Sequence, residues 1–562
     1  MASSATNKSF TDVENRPETI TDIETDEKTN PKPSSRSSGN GTDFIAPPKK
    51  LYLEFSTPLP VPSYSLIVPG RPTPPDLNKF ISPFEWPESK KTYLLWVSCI
   101  ATLVAAYAAG SYAPATARMS QEWGYNETAI LVGITTFCTG FAIAPMVLAP
   151  FSEINGRYPV FVAAGLLYVV GQICCAVTMS YPGMLVARFF AGCGASVFST
   201  MVGGVISDLY HAKERNTPMA LFACGALFGS GLGPLCSGFV AQNLDWRWVF
   251  WVQTITCSVT IAVVALTFKE TRGSLLLSQK ATSLNKFYDE LEEAGHFGVF
   301  IDGSKTPQRI RWLVKSDEER ESITKMISIS VYRPFHLLFT EPVVFFFSLY
   351  VSFAWAVLYL TFSSIPLVFS TTYNFTISQS GAVFAAMSIG SCISAVISIN
   401  SPSILAKCLA HHTKPRNRIL RSLDLSCPEA RLYFTCIESI LLPLGLFWFG
   451  FTLFPSISWI VPSLAIGCAT MGIYSIYLAT FNYLADTYHR HASSALAAQS
   501  FCRNILGGLF PLVTTPLFNG LGYRGATSLL GALALVLCAV PWVLVFYGPY
   551  IRARSKFASG QA

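Results

Sequence analysis

Asp208-Leu-Tyr210, followed by Pro234 and by Leu244-Asp-Trp-Arg247, returns later in the chain as Asp486-Thr-Tyr488, Pro511 and Leu521-Gly-Tyr-Arg524. The interval from Pro to Arg is 13 residues in both copies, and from Asp to Pro it is 26 in one and 25 in the other. Both copies lie among long apolar runs. Two parallel halves of a membrane bundle, with a pathway between them, leave this kind of duplication in a sequence.

Composition agrees with a lipid setting. Charged residues make up 13% of the chain and hydrophobic residues 51%, whereas soluble domains carry roughly 25% charged residues. Apolar windows of about 20 residues, the helical length that crosses a ~30 Å hydrocarbon core, fall near 93–112, 128–149, 159–179, 184–207, 219–240 and 249–268. A second set falls near 342–369, 378–399, 432–453, 459–480, 493–516 and 525–547. Backbone cannot stay unpaired in lipid, and unbroken apolar runs without alternation exclude a closed barrel. The fold class is therefore an all-α membrane protein: twelve transmembrane helices in two pseudo-symmetric six-helix bundles.

Lys and Arg in short loops set the orientation. With the N-terminus in the cytosol, Lys90, Lys91, Arg157, Lys213, Arg215, Lys407, Arg490 and Arg552 fall inside, and the outer loops hold only Arg118, Arg247 and Arg524. Both termini are then cytosolic. The sequons Asn126-Glu-Thr128 and Asn374-Phe-Thr376 fall outside, which makes Asn126 and Asn374 glycosylation candidates. The net charge of +7 expresses the same inward bias, and no basic cluster with interleaved aromatics points to nucleic acid. The fifteen cysteines lie mostly within spans, so no disulfide framework is implied. Cys408, His411, His412 and Cys427 match no strong ligand spacing; neither a metal nor a cofactor is expected.

Five segments follow. Residues 1–90 form a cytosolic N-terminal tail and surface segment, of which 1–50 has a disordered composition and Leu51 to Pro87 reads as an extended stretch along the inner surface of the bundle. The six-helix bundles occupy 91–270 and 342–548, with a cytosolic central loop at 271–341 and a cytosolic tail at 549–562. Within the central loop, Ser283–Ala294 and Pro307–Lys325 have amphipathic helical spacing.

A few residues stand out for their chemistry. In Ala149-Pro-Phe-Ser-Glu-Ile-Asn-Gly-Arg-Tyr-Pro159, Glu153 and Arg157 lie four apart around Gly156, in reach of each other or of a helix end such as Asp208; such a cluster can latch one conformation. Arg188 lies more than a turn into the fourth apolar run and Arg503 about ten residues into the eleventh. A guanidinium near the middle of a span costs ~2.5–3.5 kcal/mol on insertion scales, so it faces protein or a water-filled cavity, or else snorkels to an interface. Gln499, one turn before Arg503, adds a polar face, and Glu438 is the clearest carboxylate within a C-terminal span. Gly229, Gly233, Pro234 and Gly238 give the fifth span a small-residue seam suited to close helix contact. Tyr107, Tyr112, Phe228, Gln253 and Trp355 are candidate cavity walls. No phosphate loop, HExxH or GxSxG element supports an ATP-driven pump or a hydrolase.

At these residues the chain resembles the major facilitator superfamily, and within it the fungal twelve-span drug:proton antiporter group, including its polyamine-transporter-like branch. The likeness runs from Phe84-Glu-Trp-Pro-Glu-Ser-Lys-Lys91 to Tyr550-Ile-Arg-Ala-Arg-Ser-Lys-Phe557. The turn at 149–159 is similar to the family's first cytosolic signature, the Arg188 segment to its fourth-helix signature, and Gly229, Gly233, Pro234 and Gly238 to its fifth-helix antiporter signature. Asp245-Trp-Arg-Trp-Val-Phe-Trp251, Glu270-Thr-Arg-Gly-Ser274 and Asn482-Tyr-Leu-Ala-Asp486 add further matches. Tyr158, Ala220 and Ser237 depart from the pattern.

The resemblance implies a secondary transporter, not an enzyme, that works by alternating access. Protons and a lipophilic small-molecule substrate would be its partners, in efflux from the cytosol across the plasma membrane, or into a vacuole, by a chain functional as a monomer. Arg188, Glu438, Arg503 and Gln499 are then transport and proton-coupling candidates. Glu153, Gly156, Arg157, Asp208 and Asp486 are cytosolic gate candidates. A polyamine exporter of the same fold and a transporter-like receptor that moves nothing are the alternatives.

Overall fold

Apolar helices dominate the computed structural model, which describes residues 48–59, 61–62, 74–212, 214–294, 299–300, 308–318, 322–411, 427–488, 491–555 and 557–558. Of the stretch expected to be disordered, residues 1–47 lie outside these, as do residues 412–426 of the 400–431 loop, His412 included; Lys49 and Lys50, at the end of the first stretch, are strand instead. The described chain divides into two compact units, one drawn from Met1–Glu85 with Gly273–Arg320 and the other from Trp86–Arg272 with Glu321–Ala562.

The larger unit is the bundle. Its spans are Glu88–Trp123, Glu127–Ile154, Arg157–Val177, Tyr181–Leu209, Asn216–Asn243 and Arg247–Thr267, then Pro342–Tyr373, Ile377–Ser401, Pro428–Thr452 and Ile460–Tyr488. A final helical run, Ala492–Arg554, is 63 residues long. At 1.5 Å per residue that is roughly 95 Å, about three times a hydrocarbon core. Gly522, with φ 68° and ψ 169°, breaks it. That conformation is open to glycine and closed to most other residues, so the run holds an eleventh and a twelfth span joined at the Leu521-Gly-Tyr-Arg524 turn.

Glycine spacing decides how the halves meet. A Cβ on Gly229 would stand 2.4 Å from the Leu103 carbonyl oxygen and one on Gly233 would stand 2.5 Å from that of Tyr107. One edge of the fifth span is thus pressed against the first, turn upon turn. Its other edge meets the eighth: a Cβ on Gly231 would reach the Ser388 hydroxyl at 2.6 Å, and one on Gly238 would lie 3.2 Å from Gly381 Cα. Between the second and eleventh spans, the Thr135 hydroxyl donates to the Gly508 carbonyl at 2.7 Å.

The smaller unit corrects the reading of both flanking segments. Lys49–Tyr52 (β1) pairs in parallel with Ile310–Leu313 (β4), and Val61–Pro62 (β2) pairs antiparallel with Val299–Phe300 (β3). The first described part of the surface segment is therefore a strand, and Pro307–Lys325 is not a single helix. Ile310 and Trp312 point inward in alternation, the period of a strand, and a four-residue helix, Lys315–Glu318, follows. The expected helix at 283–294 is present as the end of Gly273–Glu293. Leu284, Phe287 and Leu291 on that helix pack with Leu51, Leu53, Ile310 and Trp312. The Asn285 amide donates to the Trp312 carbonyl at 2.9 Å and accepts from its N–H at 2.8 Å, closing the edge of β4.

Candidate functional site

The basic loops end the spans in a matched pair of ion clusters. At the end of the second span Gly156 adopts φ 94°, which turns the chain sharply before the third span begins at Arg157. The i, i+4 relation of a continuous helix is thereby lost between Glu153 and Arg157. Arg157 instead donates from Nε to Asp208 at 3.2 Å and from Nη1 to the Ser152 hydroxyl at 2.8 Å. Arg272 approaches the same carboxylate at 3.5 Å. Glu270 accepts from the backbone N–H of Arg157 at 2.9 Å and of Tyr158 at 3.1 Å, capping the third span where its amide ends carry partial positive charge. Tyr158, a departure from the family pattern, donates its hydroxyl to the Ala265 carbonyl.

The second half repeats the device. Arg431 donates from Nε to Asp486 at 3.1 Å, and Arg552 takes Glu429 with both arms at 2.9 and 2.8 Å. Arg157 precedes its aspartate by 51 residues and Arg431 by 55. Arg431 also donates to the Ala212 carbonyl of the first half, and Asn216 donates to the Ser398 carbonyl of the second, each at a long 3.3–3.4 Å. Arg215 stands among Asp486, Arg431 and Asp208; burial lowers its guanidinium and the Asp486 charge offsets part of that effect. Beside these groups opens a cavity of about 720 Å³ whose wall includes Arg431, Glu438, Ser475, Asn482 and Asp486. Glu438 ends the helix Tyr433–Glu438, and its Oε1 has no hydrogen-bond partner among the described residues.

Deeper in the bundle stand the two span arginines. Arg188 is fully buried, which removes the snorkelling alternative. It donates from Nε to the Gly133 carbonyl at 3.2 Å and weakly, from both terminal nitrogens, to that of Ala108. Its guanidinium carbon lies 4.8 Å from the Tyr112 ring centre and 4.3 Å from that of Phe137. Tyr112 is fixed by donating to the Ile130 carbonyl at 2.9 Å, and Gln253 donates to the Ser111 hydroxyl at 2.7 Å. Tyr107, Tyr112 and Gln253 are thus parts of the packed first half, while Phe228, half-buried, accepts at its carbonyl from Ser388 across the halves.

Arg503, 1% exposed, lies 4.5 Å from the ring centre of Trp355 and 4.9 Å from that of Tyr477. Those two rings stack on each other at 5.0 Å. Arg503 Nε and Nη1, both amide atoms of Gln499, Trp355 Nε1 and the Tyr477 hydroxyl are buried without a hydrogen-bond partner in the described protein. Sequence inspection found Arg503, Gln499 and Trp355 but missed Tyr477, Arg431, Glu429, Glu270, Arg272 and Arg552 as members of these clusters. The offset from each lock arginine to its aspartate is the signal that could have exposed Arg431.

Asn126 and Asn374 are exposed at turns. Among the described residues no group of three or more His, Cys, Asp and Glu could hold a metal ion.

Residues 98–511 match the family profile described as Major Facilitator Superfamily. The chain is 32% identical over 479 residues to the MFS-type transporter paaT of Penicillium rubens, covering 85% of this chain and 82% of that protein. It is 32% identical to the multidrug transporter mdrA of Aspergillus fumigatus, covering 85% and 74%, and 29% identical to the efflux pump FUB11 of Gibberella moniliformis, covering 85% and 76%. Among solved structures, the proton:xylose symporter XylE aligns with a TM-score of 0.54 at 13% identity, over 82% of this chain and 97% of that one, a likeness of fold.

Proposed function

This chain belongs to the major facilitator superfamily and is a multi-pass membrane transporter of small molecules; from that premise we propose that it exports lipophilic organic molecules across the plasma membrane in exchange for entering protons. The observation that carries the reading is the matched pair of locks, Arg157–Asp208 and Arg431–Asp486, at equivalent ends of two six-span halves. A bundle that rocks about its centre needs its cytosolic end to close and reopen; each lock braces one half, and the long bonds beside them that join the halves, Arg431 to the Ala212 carbonyl and Asn216 to the Ser398 carbonyl, can be made and broken. The names of mdrA and FUB11, a multidrug transporter and an efflux pump, support the direction.

Within this mechanism each candidate has a task. Glu438 is the proton carrier: it lines the cavity beside the cytosolic lock and keeps one carboxyl oxygen unpartnered. Arg188, held by carbonyls and aromatic faces with no carboxylate partner among the described residues, sets the positive field that the entering proton meets. Gly229, Gly233, Pro234 and Gly238 form the tight seam that prevents leak, and the second half supplies the substrate surface through Trp355, Gln499 and Arg503.

The deciding experiment is transport in inside-out vesicles with an imposed pH gradient, using a panel of toxins, fungicides and polyamines. Gradient-dependent accumulation of lipophilic compounds is expected. Glu438→Gln and Arg188→Ala should each abolish it at unchanged membrane abundance. Accumulation of polyamines alone would establish the polyamine reading instead, and substrate-dependent signalling without flux would establish a receptor.

A further inference from the structure

We propose that the stripe Gln499–Arg503–Gly507, with Trp355 and Tyr477 opposite, binds the acidic end of a flat, unsaturated substrate, so that the preferred cargo is an organic anion rather than a neutral or cationic drug. The inference rests on the transport reading above and names its substrate class.

Three observations converge on it. The first is charge. Among the described residues neither Arg188 nor Arg503 has a carboxylate partner, while the carboxylates at the span ends are engaged elsewhere: Asp208 by Arg157, Asp486 by Arg431 and Glu429 by Arg552. Glu438 is not paired with Arg503. Aromatic faces offset part of the cost of a buried guanidinium, up to about 2 kcal/mol in a desolvated setting, and leave its charge in place.

The second is the balance of donors and acceptors. The unpartnered atoms around Arg503 are the N–H groups of its Nε and Nη1, of Trp355 Nε1 and of Gln499 Nε2, against one carbonyl oxygen on Gln499 and the two-way hydroxyl of Tyr477. A buried set so rich in donors is satisfied by a ligand rich in acceptors, and a carboxylate accepts several charge-assisted bonds at once. An amine or polyamine brings donors and positive charge to groups that already have both.

The third is shape. Trp355 and Tyr477 stack with an interplanar angle of 29°, and Gly507 continues the face of Gln499 and Arg503 by one more turn. A Cβ on Gly507 would stand 3.1 Å from Trp355 Cδ1, so the glycine lets the indole come close to the eleventh span. Both rings are buried, at 5% and 1% exposed, and a planar substrate would join their stack beside the guanidinium when the bundle opens.

The test uses three probes that share a ring system and differ in charge: 1-naphthoate, its methyl ester and 1-naphthylmethylammonium. Binding to the purified full-length transporter is measured first. Naphthoate should bind at least about tenfold tighter than either of the others, the scale of one charge-assisted hydrogen bond. Arg503→Gln should shrink that preference to within about threefold, and Arg503→Lys should keep part of it. Equal binding of the three probes by the unmodified protein overturns the proposal, and that comparison needs no variant to fold. An unchanged preference in folded Arg503→Gln overturns it as well. Flux of the same probes under a pH gradient separates this inference from the reading beneath it. Naphthoate bound with preference but never moved would leave the anion site standing and remove export. Ester or cation moved by the gradient, with naphthoate neither bound nor moved, would leave export standing and remove the anion site.

Discussion

Replacing Asp208 by Asn keeps the shape of the side chain and deletes the charge on which two arginines converge, Arg157 at 3.2 Å and Arg272 at 3.5 Å. The Arg157 and Asp208 side chains are only 7% and 10% exposed. Removing one member of a buried pair costs about 3–5 kcal/mol, because the partner is left desolvated and uncompensated. The matched pair in the second half is a control of the same chemistry in a wetter setting: the Arg431 and Asp486 side chains are 27% and 26% exposed, a range in which a pair contributes about 0–1 kcal/mol. At 1.4 kcal/mol per decade, Asp208→Asn should shift the folding equilibrium about a hundredfold or more, and Asp486→Asn about fivefold at most. The assay is the half-life of monodisperse protein in detergent at a fixed elevated temperature, since unfolding of such proteins is commonly irreversible. A large loss for Asp208→Asn and a small one for Asp486→Asn is expected. Equal losses, or the reverse order, would refute the assignment of stability to burial of the first lock.

Other consequences follow from the same contacts. Gly229→Leu should abolish transport and lower the yield of folded protein, because its Cβ meets the Leu103 carbonyl oxygen at 2.4 Å, and overpacking of this kind costs typically ~1–3 kcal/mol; Gly203→Ala, whose nearest neighbour would be 3.8 Å away, should match the unmodified protein in both yield and flux. Arg431→Ala should speed alkylation of a cysteine placed at Ser398 from the cytosolic side, because it removes the bonds to Asp486 and to the Ala212 carbonyl together; an unchanged rate would remove Arg431 from the gate. In the smaller unit, hydrogen bonds from Arg309, and secondarily Arg311, hold the Glu292 carboxyl below the usual carboxylate range. Its contribution is therefore fully present above the ordinary Glu range and fades as pH falls through the lowered value. Glu292→Gln should accelerate hydrogen exchange in β4 of the full-length protein at pH 7 and make little difference in strong acid.

The spans were legible because lipid leaves the sequence few options: long apolar runs must be helical, and duplication around Asp208 and Asp486 shows that the runs come in two sets. Arg188 and Arg503 were legible for the opposite reason, as guanidinium groups where the surroundings penalise charge. Arg431 gave no such signal. It sits where a polar loop meets a span, and an arginine there looks like any solvated charge until the fold brings Asp486 alongside. The β1–β4 pairing was equally hidden, since four-residue strands carry too few alternations to separate a strand from a helical face, and their partners lie about 260 residues apart in the chain. Of the two partners that local spacing offered, Arg157 takes Asp208, because the positive φ of Gly156 reverses the chain and breaks the helical relation to Glu153.

Alternating access is tested most directly by labelling one buried position from both sides of the membrane. Ser352, buried one turn before Trp355 with a hydroxyl that has no partner among the described residues, is suited to this after the native cysteines are replaced. An impermeant maleimide should reach a cysteine at 352 from outside in intact cells and from the cytosolic face in inside-out vesicles, with the balance shifting when a pH gradient is imposed. Labelling from a single side under every condition would contradict a bundle whose two halves open in turn.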